Sequence, residues 1–558
     1  MRVLRVLSWR CQSPGGTISV RGSSNSVACT ERVNPRDAAP GLEARHVATW
    51  VLNFNDAFQP PTRHACPDIE SDTIVMHERP QLKQVIGRLG FFSLAFGAMI
   101  GVGWITGLKQ MFENAGPVGT AIAFVAGGGL MIVIGLCYAE TMQRLPVTGG
   151  EVAYAYQAFG TRQAFVIGWC LAFGYLSVSA FEAVSIGVVI SYIVDVDLWP
   201  LYEIQNSTVY GSHVAIALLF TLGIALINFR GVGLATQVQT AMTILLIVFA
   251  ATFVTAGFWN GDVGHLAPAF GSRQPLTALG GLLAVFVTVP FWYVGFDTIP
   301  QAAEERLDGL PTRHLGQMLV LAVAGSTIFY VAVFLSVGML VPWKSIISDP
   351  LPTAVAFQKA FDSTLWSRLV LVVGLIGLLT SWNGFFLSGC RVLFALGRGH
   401  IIHPIFGSSH PRFGTPSAAI VFSAAITFSG ALLGRQAVLV FVNVGSFCIA
   451  LAFLGVALSL QTMRKETTAK FSTAQRLLPR VAAGGSTLIL GAMIVPGSPA
   501  RLPWPVEWIV LSVVLLTGLG FWIGARRVRH QLPKTERRRL ILDADTVTSA
   551  AVASQPPD

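Results

Sequence analysis

Phe96-Gly97-Ala98-Met99-Ile100-Gly101-Val102-Gly103-Trp104 sets three glycines in the middle of an apolar stretch that runs from about 89 to 109. Each glycine costs roughly 1 kcal/mol of helix propensity relative to Ala, so a helix carrying all three needs a compensating role for the weak point. A second stretch, at about 276 to 303, has the same defect in another form. Its centre reads Val289-Pro290-Phe291-Trp292-Tyr293-Val294-Gly295-Phe296-Asp297, with a proline, a glycine and an acid where a bilayer would be deepest. Either stretch alone fits close helix packing, because glycine is common in membrane helices. Two interruptions five apolar stretches apart predict broken first and sixth helices in an inverted repeat of five.

Working outward, apolar stretches of about spanning length continue at 117–139, 164–193, 212–229, 234–257, 315–341, 366–396, 416–433, 437–460, 481–496 and 506–524. The predicted fold is therefore an all-α integral membrane protein of about 12 transmembrane helices. Two inverted five-helix repeats account for ten of them and two extra helices for the rest. Composition agrees: of 558 residues 53% are hydrophobic and 12% charged, against roughly 25% charged in soluble domains. Residues 1–80 show neither helical nor strand periodicity and are expected to be a disordered tail; 81–530 form the membrane domain and 531–558 a C-terminal tail.

The formal net charge of +10 sits in loops between apolar spans rather than in a stripe interleaved with aromatics, so it reads as topology and not as nucleic-acid binding. Loops on the side of the termini hold 13 Lys and Arg against 7 on the other side. Both termini are expected in the cytoplasm, and the plasma membrane is the expected location, since acids between Glu31 and Asp72 fit a transit peptide poorly. No metal site or cofactor is expected: the seven cysteines contain no CxxC pair, and His400, His403 and His410 share one polar loop. Without HExxH or GxSxG motifs the chain is not expected to be an enzyme.

The polarity of broken helices suggests a ligand. The half-helix beginning near Gly103 points free N–H groups at the break, suited to a carboxylate. The half-helices ending near Met99 and Phe291 point unpaired carbonyls there, suited to an ammonium. Together they would read an α-amino acid. Of the two intramembrane acids, Asp297 can cap the half-helix from Thr298 or carry a coupling proton. Glu182 either faces the pocket and reads a second amine or is a structural acid bonded to a hydroxyl such as Ser185. Glu304 and Glu305, at the cytoplasmic end of the sixth span, call for basic partners.

The motifs GAMIGVGWI (97–105), YAETMQRLPVTGGEVAYAYQAFG (138–160), PFWYVGFDTIPQAAEE (290–305) and RVLFALGRGHIIHPIFGSSHPRFGTP (391–416) resemble, in order and spacing, the amino acid-polyamine-organocation permeases over nearly all of 85–525. The resemblance implies secondary transport of an amino acid or related amine by alternating access, with H+ as the coupling ion in symport or exchange and the lipid bilayer as surroundings. It also implies carboxylate binding by the amides around Gly101, Val102 and Gly103, and ammonium binding by the carbonyls of Met99, Phe291 and Val294. Trp382 would line the distal pocket, and an aromatic among residues 291–293 would act as a gate. Two departures stand out: the fifth span lacks the lysine of some proton-coupled relatives, and Arg306-Leu307-Asp308-Gly309 follows the glutamate pair in place of Asn-Pro. A polyamine- or ethanolamine-type permease and a non-transporting amino-acid sensor are the alternatives.

Overall fold

The computed structural model describes residues 79–204, 207–271, 278–349, 351–466 and 471–543, preceded by four strands, Arg10–Ser13, Gly16–Ser23, Ser26–Val33 and Trp50–Leu52. The chain divides into a unit of residues 1–78 and a unit of residues 79–558. In the first unit the strands pair antiparallel in chain order. These strands fall within the stretch read from the sequence as a tail. The remainder of the expected tail lies outside the described residues.

In the second unit ten helices among the described residues are long and apolar enough to cross a bilayer. The other two predicted spans are present in altered form. The sixth is interrupted, as Ala278–Phe286, Val289–Trp292 and Thr298–Gln301. The ninth, Ser417–Ala431, has 15 residues, or about 22 Å of helix against a hydrocarbon core of about 30 Å. The first span is Arg88–Met99 followed by Gly103–Thr106. It reaches the second through a sharp turn at Gly116, whose φ of 69° no β-branched residue would adopt without strain, and Pro117 opens the next helix.

Which faces are apolar explains where lipid sits. Leu219, Ile328 and Leu516 are 68%, 70% and 65% exposed on their spans, so large aliphatic groups point outward where only hydrocarbon tails would accept them. Cys137, Cys170, Cys390 and Cys448 are free and buried, as small hydrophobes inside spans. His403 and His410 accept main-chain N–H groups of their own loop, from Ile405 and Arg412.

The end of the membrane domain that carries Glu304 and Glu305 is held by charge. Arg391, counted by sequence as a loop residue, lies inside the eighth span, Thr364–Arg398, and is wholly buried against Glu305 at 2.8 Å. Removing it from the charge count leaves the imbalance in place. Arg398 and Arg79 both meet Glu304, at 2.7 Å and 2.6 Å, and the Thr148 N–H donates to the same carboxylate at 3.0 Å. The changed exit after the glutamate pair is fastened by the segment before the first span: the N–H groups of Val85 and Ile86 donate to the Glu305 carbonyl, and that of Leu307 to the Ile86 carbonyl. Within the expected C-terminal tail, Lys534–Leu542 is a helix with Leu540, Ile541 and Leu542 buried.

Candidate substrate site at the paired helix breaks

The two breaks meet. Gly295, at φ 133°, lies so close to the end of the first half-helix that a Cβ there would stand 2.7 Å from Met99 N and 2.8 Å from Ala98 C. Any side chain at Gly295 would be both strained and obstructed. At the first break Ile100 leaves helical geometry, and among the described residues the N–H groups of Gly101, Val102 and Gly103 make no hydrogen bond. These are the orphan donors predicted from helix polarity, and they are available to an anionic group.

The carbonyl side differs from expectation. The Met99 carbonyl is not unpaired: the Tyr330 hydroxyl of the seventh span, Thr312–Leu340, lies 2.7 Å from it and 3.2 Å from the Trp292 carbonyl. The Phe291 carbonyl accepts the Val294 N–H at 3.4 Å. A bare carbonyl at bilayer depth is costly, so without a ligand the protein supplies its own donor. Tyr330 is a site residue that sequence reading missed, because a single tyrosine in an apolar span carries no local signal. Tyr330→Phe is expected to cost about 1–2 kcal/mol by stranding one of these acceptors, read as a lowered midpoint of thermal unfolding in detergent; an unchanged midpoint would mean that the carbonyls find another donor.

Among the three candidate gate aromatics the geometry singles out Trp292. A Cβ on Gly103 would lie 2.0 Å from Trp292 Cζ3, and one on Gly107 2.3 Å from Cη2. The indole thus fills the cleft left by the two glycines, and its edge contacts Tyr330 with ring centroids 6.3 Å apart. Phe291 instead turns outward at 36% exposure. Tyr293 is buried and donates to the Phe124 carbonyl or Thr327 Oγ1. Val294 is buried within the turn of the sixth span.

Glu182 reaches the first break. It is buried, its Oε1 accepts from Ser381 Oγ at 2.7 Å, and a Cβ on Gly101 would stand 3.1 Å from that oxygen. The hydroxyl partner is Ser381 of the eighth span and not Ser185, because residues 199 positions apart are neighbours here. Among the described residues Glu182 Oε2 is buried without a partner, and so is Nε1 of the fully buried Trp382.

Asp297 departs from the capping role. Its backbone is helical, φ −73° and ψ −1°, and its side chain makes no cap to Thr298–Gln301. An N-cap needs extended backbone to aim the carboxylate forward. Here it faces back into the break, accepting from Gly295 N at 2.9 Å and from Tyr175 Oη at 2.7 Å. The lysine-free fifth span, Val232–Asn260, contributes Gln239, whose Nε2 donates to the carbonyls of Ser93 and Thr380 while its Oε1 accepts from Asn383. That carboxamide ties the first, fifth and eighth spans together with a group that does not titrate.

A twelve-span fold with two abutting helix breaks, free amides on one side and buried acids beside them defines a broken-helix secondary transporter rather than an enzyme. The chain belongs to the amino acid permease family, whose model matches residues 86–528, and it is a secondary amino acid transporter of the amino acid-polyamine-organocation superfamily. It is similar to the branched-chain amino acid permease BcaP of Bacillus subtilis, at 25% identity over 408 residues, 69% of this chain and 82% of the relative. The methylthioribose transporter of the same organism is 27% identical over 343 residues, 58% and 69% of the two chains. Cationic amino acid transporter 7, chloroplastic, of Arabidopsis thaliana is 25% identical over 452 residues, 79% and 75%.

Proposed function

We propose that the protein carries a cationic amino acid across the plasma membrane by alternating access, driven by protons, with both termini in the cytoplasm. The observation that carries this reading is the placement of Glu182 against Gly101, with one carboxylate oxygen bonded and the other free. The free N–H groups of Gly101, Val102 and Gly103 suit an α-carboxylate. A charged Glu182 beside them would repel that carboxylate unless a second cation lies between the two, and a dibasic substrate supplies one. The carbonyls of Met99, Phe291 and Val294 suit the α-ammonium once Tyr330 gives way, Trp382 closes the distal side, and Trp292 is the gate.

Coupling falls to acids, since the fifth span supplies an amide where a titrating lysine would otherwise serve; Asp297, bonded inside the break, is the acid placed to sense it. The orientation rests on the arginine-rich loops between spans. Relatives named as cationic amino acid transporters support the substrate class. A methylthioribose transporter at comparable identity means that relatedness alone does not select it.

The test is radiolabelled uptake into proteoliposomes of alanine, lysine, putrescine and ethanolamine, with and without an inward proton gradient. Lysine is expected to be taken up, and Glu182→Gln to lose it selectively by tenfold or more, as about 1.5–3 kcal/mol of charge-assisted bonding disappears. Alanine uptake that dominates and survives the substitution would reassign the protein to neutral substrates, and no uptake of any of the four would favour a sensor.

A further inference from the structure

One buried acid has no part in the break or in the arginine clusters. Glu151 opens the helix Gly150–Phe159, which lies in the loop between the second and third spans, yet it is only 1% exposed. Its Oε2 accepts from Gln301 Nε2. The same Nε2 lies 3.3 Å from the main-chain carbonyl of Asp297, whose carboxylate is itself fully buried. One carboxamide therefore ties the Glu151 carboxylate to the main chain of Asp297. Among the described residues Glu151 Oε1, Gln301 Oε1 and Tyr138 Oη are all buried there without a partner.

The groups facing the pair are tyrosines: Tyr138 from the second span, Tyr154 from the loop helix and Tyr175 from the third span. The cations on neighbouring elements are spent elsewhere. Arg391 and Arg398 of the eighth span serve Glu305 and Glu304, and Arg464 of the tenth serves Glu140. On the C-terminal helix Arg537 donates to the Gly399 carbonyl and Arg538 to Gln157. Burial, followed by the nearby Asp297 charge, pushes the Glu151 carboxyl up to about 8. Two desolvated carboxylates with no cation between them favour a shared proton.

We propose that Glu151 and Asp297 share one coupling proton, with Glu151 its carrier at the cytoplasmic end and Gln301 holding the Glu151 carboxylate to the Asp297 main chain. This rests on the transport reading above. One proton enters onto the pair and the same proton leaves to the cytoplasm; no other bond is made or broken. Asp297 connects it to the substrate site because one carboxylate oxygen accepts the Gly295 N–H, packed on Met99, while the other accepts from Tyr175 Oη. Release is local, since Thr148, three residues before Glu151, is bonded to Glu304 of the cytoplasmic ion cluster.

Two measurements on the full-length protein test this. In nanodiscs, infrared titration of wild type is expected to show the C=O band of a buried carboxylic acid that is lost as pH rises. Glu151→Gln should remove that band, and Asp297→Asn, by removing the like charge, should move its midpoint to lower pH. In proteoliposomes, the ratio of gradient-driven lysine accumulation to lysine counterflow is expected to fall at least about tenfold in Glu151→Gln, as when a positioned proton carrier is lost. An unchanged ratio, or a band indifferent to both substitutions, overturns the proposal. If wild type moves no lysine even in counterflow, the substrate reading fails instead and the infrared titration alone decides the proton site. If Glu151→Gln does not fold, the midpoint shift in Asp297→Asn decides it.

Discussion

Gly103→Ala is expected to reduce uptake by about a hundredfold while leaving expression and gel-filtration behaviour intact. The added methyl would stand 2.0 Å from Trp292 Cζ3, whereas carbon atoms rest at about 3.5–4.0 Å, so the indole must retreat by roughly 1.5 Å. A displacement of that size at a reacting or binding centre costs on the order of a hundredfold. It would also carry the Trp292 main chain, and with it one of the two carbonyls beside the Tyr330 hydroxyl. The helix itself gains about 1 kcal/mol from alanine, which offsets part of the roughly 1–3 kcal/mol that overpacking costs. Substituting Trp292 by Leu in the same chain should restore part of the uptake, because the smaller side chain makes room for the methyl. Wild-type uptake by Gly103→Ala alone would show that the indole is not the closing element.

The second large effect belongs to the ion cluster around Glu304. Glu304→Ala leaves Arg398, with its side chain 1% exposed, without its anion, and leaves Arg79, 8% exposed, with only Asp543 at 3.3 Å. Breaking a buried pair in this way costs about 3–5 kcal/mol, to be read from denaturant or thermal unfolding in detergent. The combination Arg79→Met, Glu304→Leu and Arg398→Met should recover much of the loss, since apolar replacement of buried ion partners is often neutral and Asp543, the remaining anion, has a side chain 30% exposed to solvent. A single Glu304→Ala change with wild-type stability would sink the argument.

The same cluster sets a pH dependence. Burial alone would raise the Glu304 carboxyl, but the Arg398 guanidinium, its hydrogen bonds and Arg79 outweigh that and hold it near 2 against an ordinary 4.5. A carboxyl depressed in the folded state contributes stability that is fully present above its unfolded value and is lost as pH falls towards the folded one. Unfolding midpoints should therefore drop between about pH 4.5 and 2 in wild type, with a shallower drop in the triple variant.

Much of the fold was legible because its signals are local. Glycine and proline in an apolar run cost helix propensity wherever they stand, and a bilayer demands spans of a set length, so the twelve spans and both breaks follow from composition and spacing. The orphan amides of Gly101 to Gly103 follow in the same way from helix polarity. The capping role for Asp297 failed because backbone angles at a break answer to packing against Met99 and not to the residue type.

The sequence by itself determined a broken-helix membrane protein, the orphan amides at its first break and the need of Glu304 and Glu305 for basic partners. Only the tertiary structure decided who those partners are, that Trp292 rather than Phe291 or Tyr293 fills the cleft, that Ser381 holds Glu182 and Tyr330 covers Met99, and that Glu151 lies beside Gln301. The reason is physical. A polar group in a bilayer must be satisfied by protein, but packing brings its partner from 199 residues away for Glu182 and 231 for Met99, and no local pattern in the chain records that meeting.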